Sequence, residues 1–99
     1  MPQGRPSSLD HWYRQRYHVD VANAGKILSR MRNNPRDWRI EDLKVLANRY
    51  GINHDQTGSH VSFRHPAVGR LTVPADRPIQ PIYVRKFVQF VDSVIEEQQ

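Results

Sequence analysis

The 99-residue sequence contains no cysteine. That absence excludes disulfide staples, thiolate catalysis and every zinc site that needs a Cys ligand. It fits a reducing compartment, so the expectation is a cytoplasmic protein. No apolar run approaches the ~20 residues that span a bilayer, and the N-terminal stretch lacks the apolar core, about 7–15 residues long, of a secretory signal. No membrane partner is expected. Acidic side chains are few and scattered: beyond the first twenty residues, Asp37, Glu41, Asp42, Asp55, Asp76, Asp92, Glu96 and Glu97 form no D-x-D or E-x-x-H pattern. A two-metal nuclease needs carboxylates that converge on ions ~3.5–4 Å apart, and nothing in the spacing proposes that, so no metal and no cofactor are expected. There is no G-x-x-x-x-G-K-[ST] phosphate loop and no G-x-S-x-G nucleophile turn.

What the chain does have is positive charge. Lys and Arg number 15 against 10 Asp and Glu, for a net charge of +5 and a pI of about 10.1. Most of these cations are arginine, whose planar fork fits phosphate bidentately, so an anionic partner is expected. Nucleic acid comes first and an acidic protein second; basicity without any such partner is the bland alternative. The length fits one domain with one modest core.

Met1 to Asp20 mixes Arg5, Arg14 and Arg16 with Trp12, Tyr13, Tyr17, His11 and His18, with no clean period. It reads as a flexible arm, 1–20, ahead of a folded domain, 21–99. Asp20 or Asn23 is placed to cap a first helix, in which Ala24, Ile27, Leu28 and Met31 form one stripe. Asn33-Asn34-Pro35 stops it. A second helix spans about Ile40 to Tyr50, with Ile40, Leu43, Leu46, Ala47 and Tyr50 on one face and Gly51 as its left-handed cap. Ile52 to Gln56 reads as a short or edge strand of poor propensity. Thr57-Gly58 turns the chain into a strand in which Val61 and Phe63 point one way and His60, Ser62 and Arg64 the other. After Pro66 and a hairpin loop, Gly69 to Pro74 forms a third strand, Leu71 and Val73 inward, Arg70 and Thr72 outward. Ala75 to Gln80 reads as a loop. Pro81 opens a last helix whose stripe is Val84, Phe87, Val88, Val91, Val94 and Ile95, widened by Tyr83 and Phe90; Glu96 to Gln99 are expected to fray. The order α-α-β-β-β-α implies an α+β, two-layer domain: a three-stranded antiparallel sheet covered on one face by helices, with the other face solvated and basic.

On that face His60 is the candidate catalytic group. An unperturbed imidazole titrates near ~6.5, so it can both take and give a proton at neutral pH. RNA supplies its own nucleophile, the 2′-hydroxyl. Gly58 would let a phosphate approach the backbone, Ser59 could orient the imidazole, and Ser62, Arg64 and Arg70 share the outward side as RNA-binding candidates. The plain alternative for His60 is a surface histidine at the start of a strand. His65 is read as structural or solvated, with a second acid as its other possible role, and His54 stays open.

The run Gly58-Ser59-His60-Val61-Ser62-Phe63-Arg64-His65-Pro66, followed by Leu71-Thr72-Val73-Pro74 and a helix with Tyr83-Val84-Arg85-Lys86, resembles the HicA (YcfA-like) family of toxins from type II toxin–antitoxin systems. Asn34-Pro35 and Tyr50-Gly51 also match longer members, and the resemblance covers Lys26 to Ile95. It implies a double-stranded-RNA-binding-domain-like fold and metal-independent cleavage of mRNA. It also implies inhibition by a HicB-like antitoxin, with the toxin monomeric alone and hetero-oligomeric with its antitoxin. The family's catalytic histidine falls on His60. Three departures stand out. Ala75-Asp76 occupies a place where many relatives carry another histidine, the Ile52 to Gln56 strand is more polar than usual, and the first twenty residues have no counterpart. Two other readings of the same fold are a non-catalytic RNA-binding module and a protein-interaction domain with an acidic partner.

Overall fold

Three amphipathic stripes and three short strands assemble in the expected order. A computed structural model describes residues 21–98; the arm, Asp20 and Gln99 lie outside the described residues. The elements are α1 (Val21–Asn33), α2 (Ile40–Arg49), β1 (Asn53–Thr57), β2 (His60–His65), β3 (Gly69–Pro74) and α3 (Pro81–Glu97). The sheet runs β1-β2-β3, antiparallel throughout. α2 packs on β1, α3 packs on β3, and α1 packs on both of these helices. Among the described residues, no helix is long and apolar enough to cross a membrane.

Most of the core follows the predicted periodicity, with Ile27, Tyr50, Leu71, Tyr83 and Ile95 only partly buried at its margin. Ala24, Leu28 and Met31 of α1, Ile40, Leu43, Leu46 and Ala47 of α2, and Val84, Phe87, Val88, Phe90, Val91 and Val94 of α3 are buried against Val61, Phe63 and Val73. Phe63 meets Phe87 with ring centroids 5.0 Å apart and planes tilted by 59°. That edge-on contact fixes α3 over the middle strand.

The first strand begins one residue later than the propensity reading, and the reason is local. Gly51 has φ +71° and Ile52 N–H donates to Ala47 O at 2.8 Å. This is a Schellman closure of α2, in which the residue after the glycine drops its side chain onto the helix end. Ile52 is therefore 2 % exposed and belongs to the cap. β1 takes Thr57 in its place, and the turn moves by one residue from Thr57-Gly58 to Gly58-Ser59. Asn23 sits inside the first turn of α1 and is not its cap. Ile79, placed in a loop because of the prolines around it, is fully buried, and its N–H donates to Trp38 O at 2.8 Å. This bond ties the α1–α2 connection to the β3–α3 connection. α3 also runs on through Glu96 and Glu97, because Gln98 N–H still reaches Val94 O and Ile95 O, and its amide reaches Tyr50 O.

α2 runs antiparallel to β1. Early in the helix Lys44 donates to Gln56 Oε1 at 2.9 Å; late in it Asn48 pairs with His54 at 3.0 Å. The start of α2 therefore lies at the Thr57 end of the sheet. The start of α3 lies there too, because it follows the end of β3.

Candidate functional site

The site starts at a two-residue turn. Thr57 pairs with His60, leaving Gly58 and Ser59 as the loop. Gly58 has φ +61° and Ser59 has negative φ, the backbone pattern of a type II′ hairpin with glycine at its first central position. A Cβ added at Gly58 would meet nothing within 4 Å. The demand for glycine is thus conformational, worth roughly 1–2 kcal/mol for an L-residue in that region. Two further bonds hold the turn from behind: Gln56 Nε2 donates to Gly58 O at 3.2 Å, and Ala75 N–H donates to Ser59 O at 2.7 Å.

Antiparallel register then sets the solvated face in three rows. Thr57, His60 and Pro74 form the first, Asp55, Ser62 and Thr72 the second, and Asn53, Arg64 and Arg70 the third. His60, Ser62, Arg64 and Arg70 do share one face. They do not share one spot. Arg64 lies four residues along β2 from His60, about 13 Å at ~3.3 Å per residue. The two arginines therefore stand beside a phosphate that flanks the one His60 would address. The face is also less basic than the sequence implies, because Arg64 is salt-bridged to Asp55. Asp55 was missed as a site residue because β1 has no legible alternation. The two-residue turn was the signal that could have found it, since pairing Thr57 with His60 sets Asp55 opposite Ser62, beside Arg64.

The three described histidines have separate fates. His54 lies on the same side as Phe63, bonds Asn48 and meets the Phe63 ring at a tilt of 52°, centroids 6.0 Å apart. His65 Nδ1 accepts the Ala67 N–H at 3.1 Å, closing the β2–β3 turn. His65 lies five residues from His60, an odd offset, and so faces the opposite side at the far end of the strand. A role for it as acid partner to His60 is thereby excluded. His60 is exposed; its Nδ1 lies 3.5 Å from Ser59 Oγ, and Nε2 has no partner among the described residues. Ser59 is close enough to bias the ring and too far to lock it. No group of three His, Asp or Glu side chains converges among the described residues.

No family model, curated protein or solved structure matches the chain.

Proposed function

We propose that the chain is a HicA-type toxin, an endoribonuclease that cuts mRNA in the cytoplasm and is held inactive by a HicB-like antitoxin covering the sheet's open face. The observation that carries this reading is the presentation of His60. A hairpin turn puts its imidazole in solvent with Nε2 unengaged, while the other described histidines are tied into the fold. The Gly-Ser-His resemblance points to the same residue.

The chemistry asked of the chain is small. His60 takes the proton from the RNA 2′-hydroxyl, the 2′-oxygen bonds to phosphorus, and the bond from phosphorus to the 5′-oxygen breaks. The leaving oxygen takes its proton from solvent water, and the products are a 2′,3′-cyclic phosphate and a 5′-hydroxyl. General base help of this kind is worth about 10²–10⁴-fold. Ser59 orients the ring, Gly58 leaves room at the backbone, Ser62 donates to the strand, and Arg64 and Arg70 bind a flanking phosphate.

The test is purified His60→Ala protein, free of antitoxin and checked by circular dichroism for an unchanged fold. It is expected to lose RNA cleavage and, in cells, growth arrest. Full cleavage by this variant ends the assignment. Wild-type activity that disappears in EDTA and returns with a divalent ion ends the metal-free mechanism. Salt-dependent RNA binding with no cleavage by the wild type moves the chain to the non-catalytic alternative.

A further inference from the structure

The open face places its arginines about 13 Å of backbone from His60 along β2, which leaves room for a cation nearer the scissile phosphate. The fold brings two others to the right end. Arg39 precedes α2, and α2 starts at the Thr57 end of the sheet. Arg77 follows Pro74, which pairs with His60, by three residues, at most about 11 Å of chain. The bond from Ile79 N–H to Trp38 O clamps their two loops together. Arg39, Arg77, Asp37 and Pro78 line a cleft of about 260 Å³ between them. This is smaller than the roughly 300–1,000 Å³ of a pocket for a drug-sized ligand, and two guanidinium groups stand on its wall.

Neither guanidinium is held by a carboxylate within the described residues. Arg32 and Arg64, by contrast, are neutralised by Asp92 and Asp55. Asp37 also lines the cleft, leaving it one net positive charge. A second cleft among the described residues, lined by Arg32, Arg85, Val88 and Gln89, is the poorer anion site because Asp92 already occupies its Arg32 through two hydrogen bonds of 2.6 and 3.0 Å.

We infer that the Arg39–Arg77 cleft is a phosphate subsite that holds the RNA backbone next to the bond at His60. Its choice of RNA rests on the ribonuclease reading; its anion binding does not. Each arginine can give two parallel hydrogen bonds to one phosphate, and the joined loops set the spacing between the two forks. The pair acts by positioning substrate, not by moving a proton.

The test uses a short RNA methylated at every 2′-oxygen, which cannot be cut, titrated into the whole chain. The Nε–Hε resonances of Arg39 and Arg77 are expected to shift. Arg39→Gln and Arg77→Gln are each expected to weaken binding about tenfold, as for loss of a hydrogen bond to a charged group. On unmodified RNA both variants raise KM and keep kcat. Unmoved arginine resonances together with unchanged affinity overturn the subsite. If the wild type cuts RNA and neither variant alters KM, the subsite fails and the ribonuclease reading stands. If the oligonucleotide shifts both arginines and the wild type cuts nothing, the subsite stands and the ribonuclease reading fails.

Discussion

One carboxylate decides how much of the sheet's positive charge is available. Asp55 sits diagonally across β1–β2 from Arg64 and engages it, with both side chains partly exposed at 62 % and 38 %. An exposed pair of this kind contributes at most about 1 kcal/mol to stability. Its larger effect is to compete with phosphate for the same guanidinium. Asp55→Asn should therefore leave the midpoint of thermal unfolding nearly unchanged. In a His60→Ala background, where RNA survives, it should tighten RNA binding up to about fivefold, the equivalent of ~1 kcal/mol. Asp92→Asn is the control, since it removes the same charge and frees Arg32 on the helical side. A fluorescence-anisotropy titration separates the two. Equal gains in both variants would mean that net charge alone matters and that Arg64 is not on the RNA path.

Elements whose side chains alternate or recur by burial were legible in the sequence, and elements held by their neighbours were not. The stripes of α1, α2 and α3 and the in-out alternation of β2 and β3 follow from which faces meet the core. β1 has no fully buried residue. It exists because the Gly58-Ser59 turn aims it and β2 pairs with it, so intrinsic propensity had nothing to report. Ile52 and Ile79 are core residues whose burial depends on a helix cap and on a bond between two loops, neither of which is periodic. The site residues were legible as a face, because strand parity is local. Their spacing along the face, and the presence of Asp55, required the register. The end of α2 also carries a measurable consequence. Burial raises the Tyr50 phenol above its usual value, with Arg49 opposing and Asp92 adding. A raised acid holds its proton in the folded state. Its contribution is therefore complete below the unfolded value of about 10 and is lost as pH climbs through the folded one. Tyr50→Phe should match the wild type near neutrality and show a shallower loss of thermal stability above pH ~10. An alkaline limb identical to that of the wild type would rule Tyr50 out as its source.

At the scale of the described fold, the two loops, the hairpin turn and the starts of α2 and α3 lie at one end, and Arg64 and Arg70 lie toward the other. An RNA strand that meets both must cross the open face from the Arg64–Arg70 row, past Ser62 and His60, to the Arg39–Arg77 cleft. That is some 13 Å of strand plus the loop beyond it, at ~3.3 Å per residue. Such a path has a salt signature. Each phosphate neutralised on a single strand contributes about −0.7 to the slope of log Kobs against log salt. The Arg39→Gln, Arg77→Gln double variant, which loses the one phosphate held in the cleft, should therefore reduce the magnitude of the slope by about 0.7. Arg70→Gln should reduce it by about 0.7, and the two reductions should add because the sites are separate on the fold. The slopes are measured by titrating 2′-O-methylated RNA at several salt concentrations. Loss in the double variant with none in Arg70→Gln would confine the strand to the His60 end and leave Arg70 off the RNA path. Additive losses in both require one strand to lie along the entire face. On the proposed toxin reading, an inhibiting partner would in that case need to cover only His60 and one of the two arginine sites.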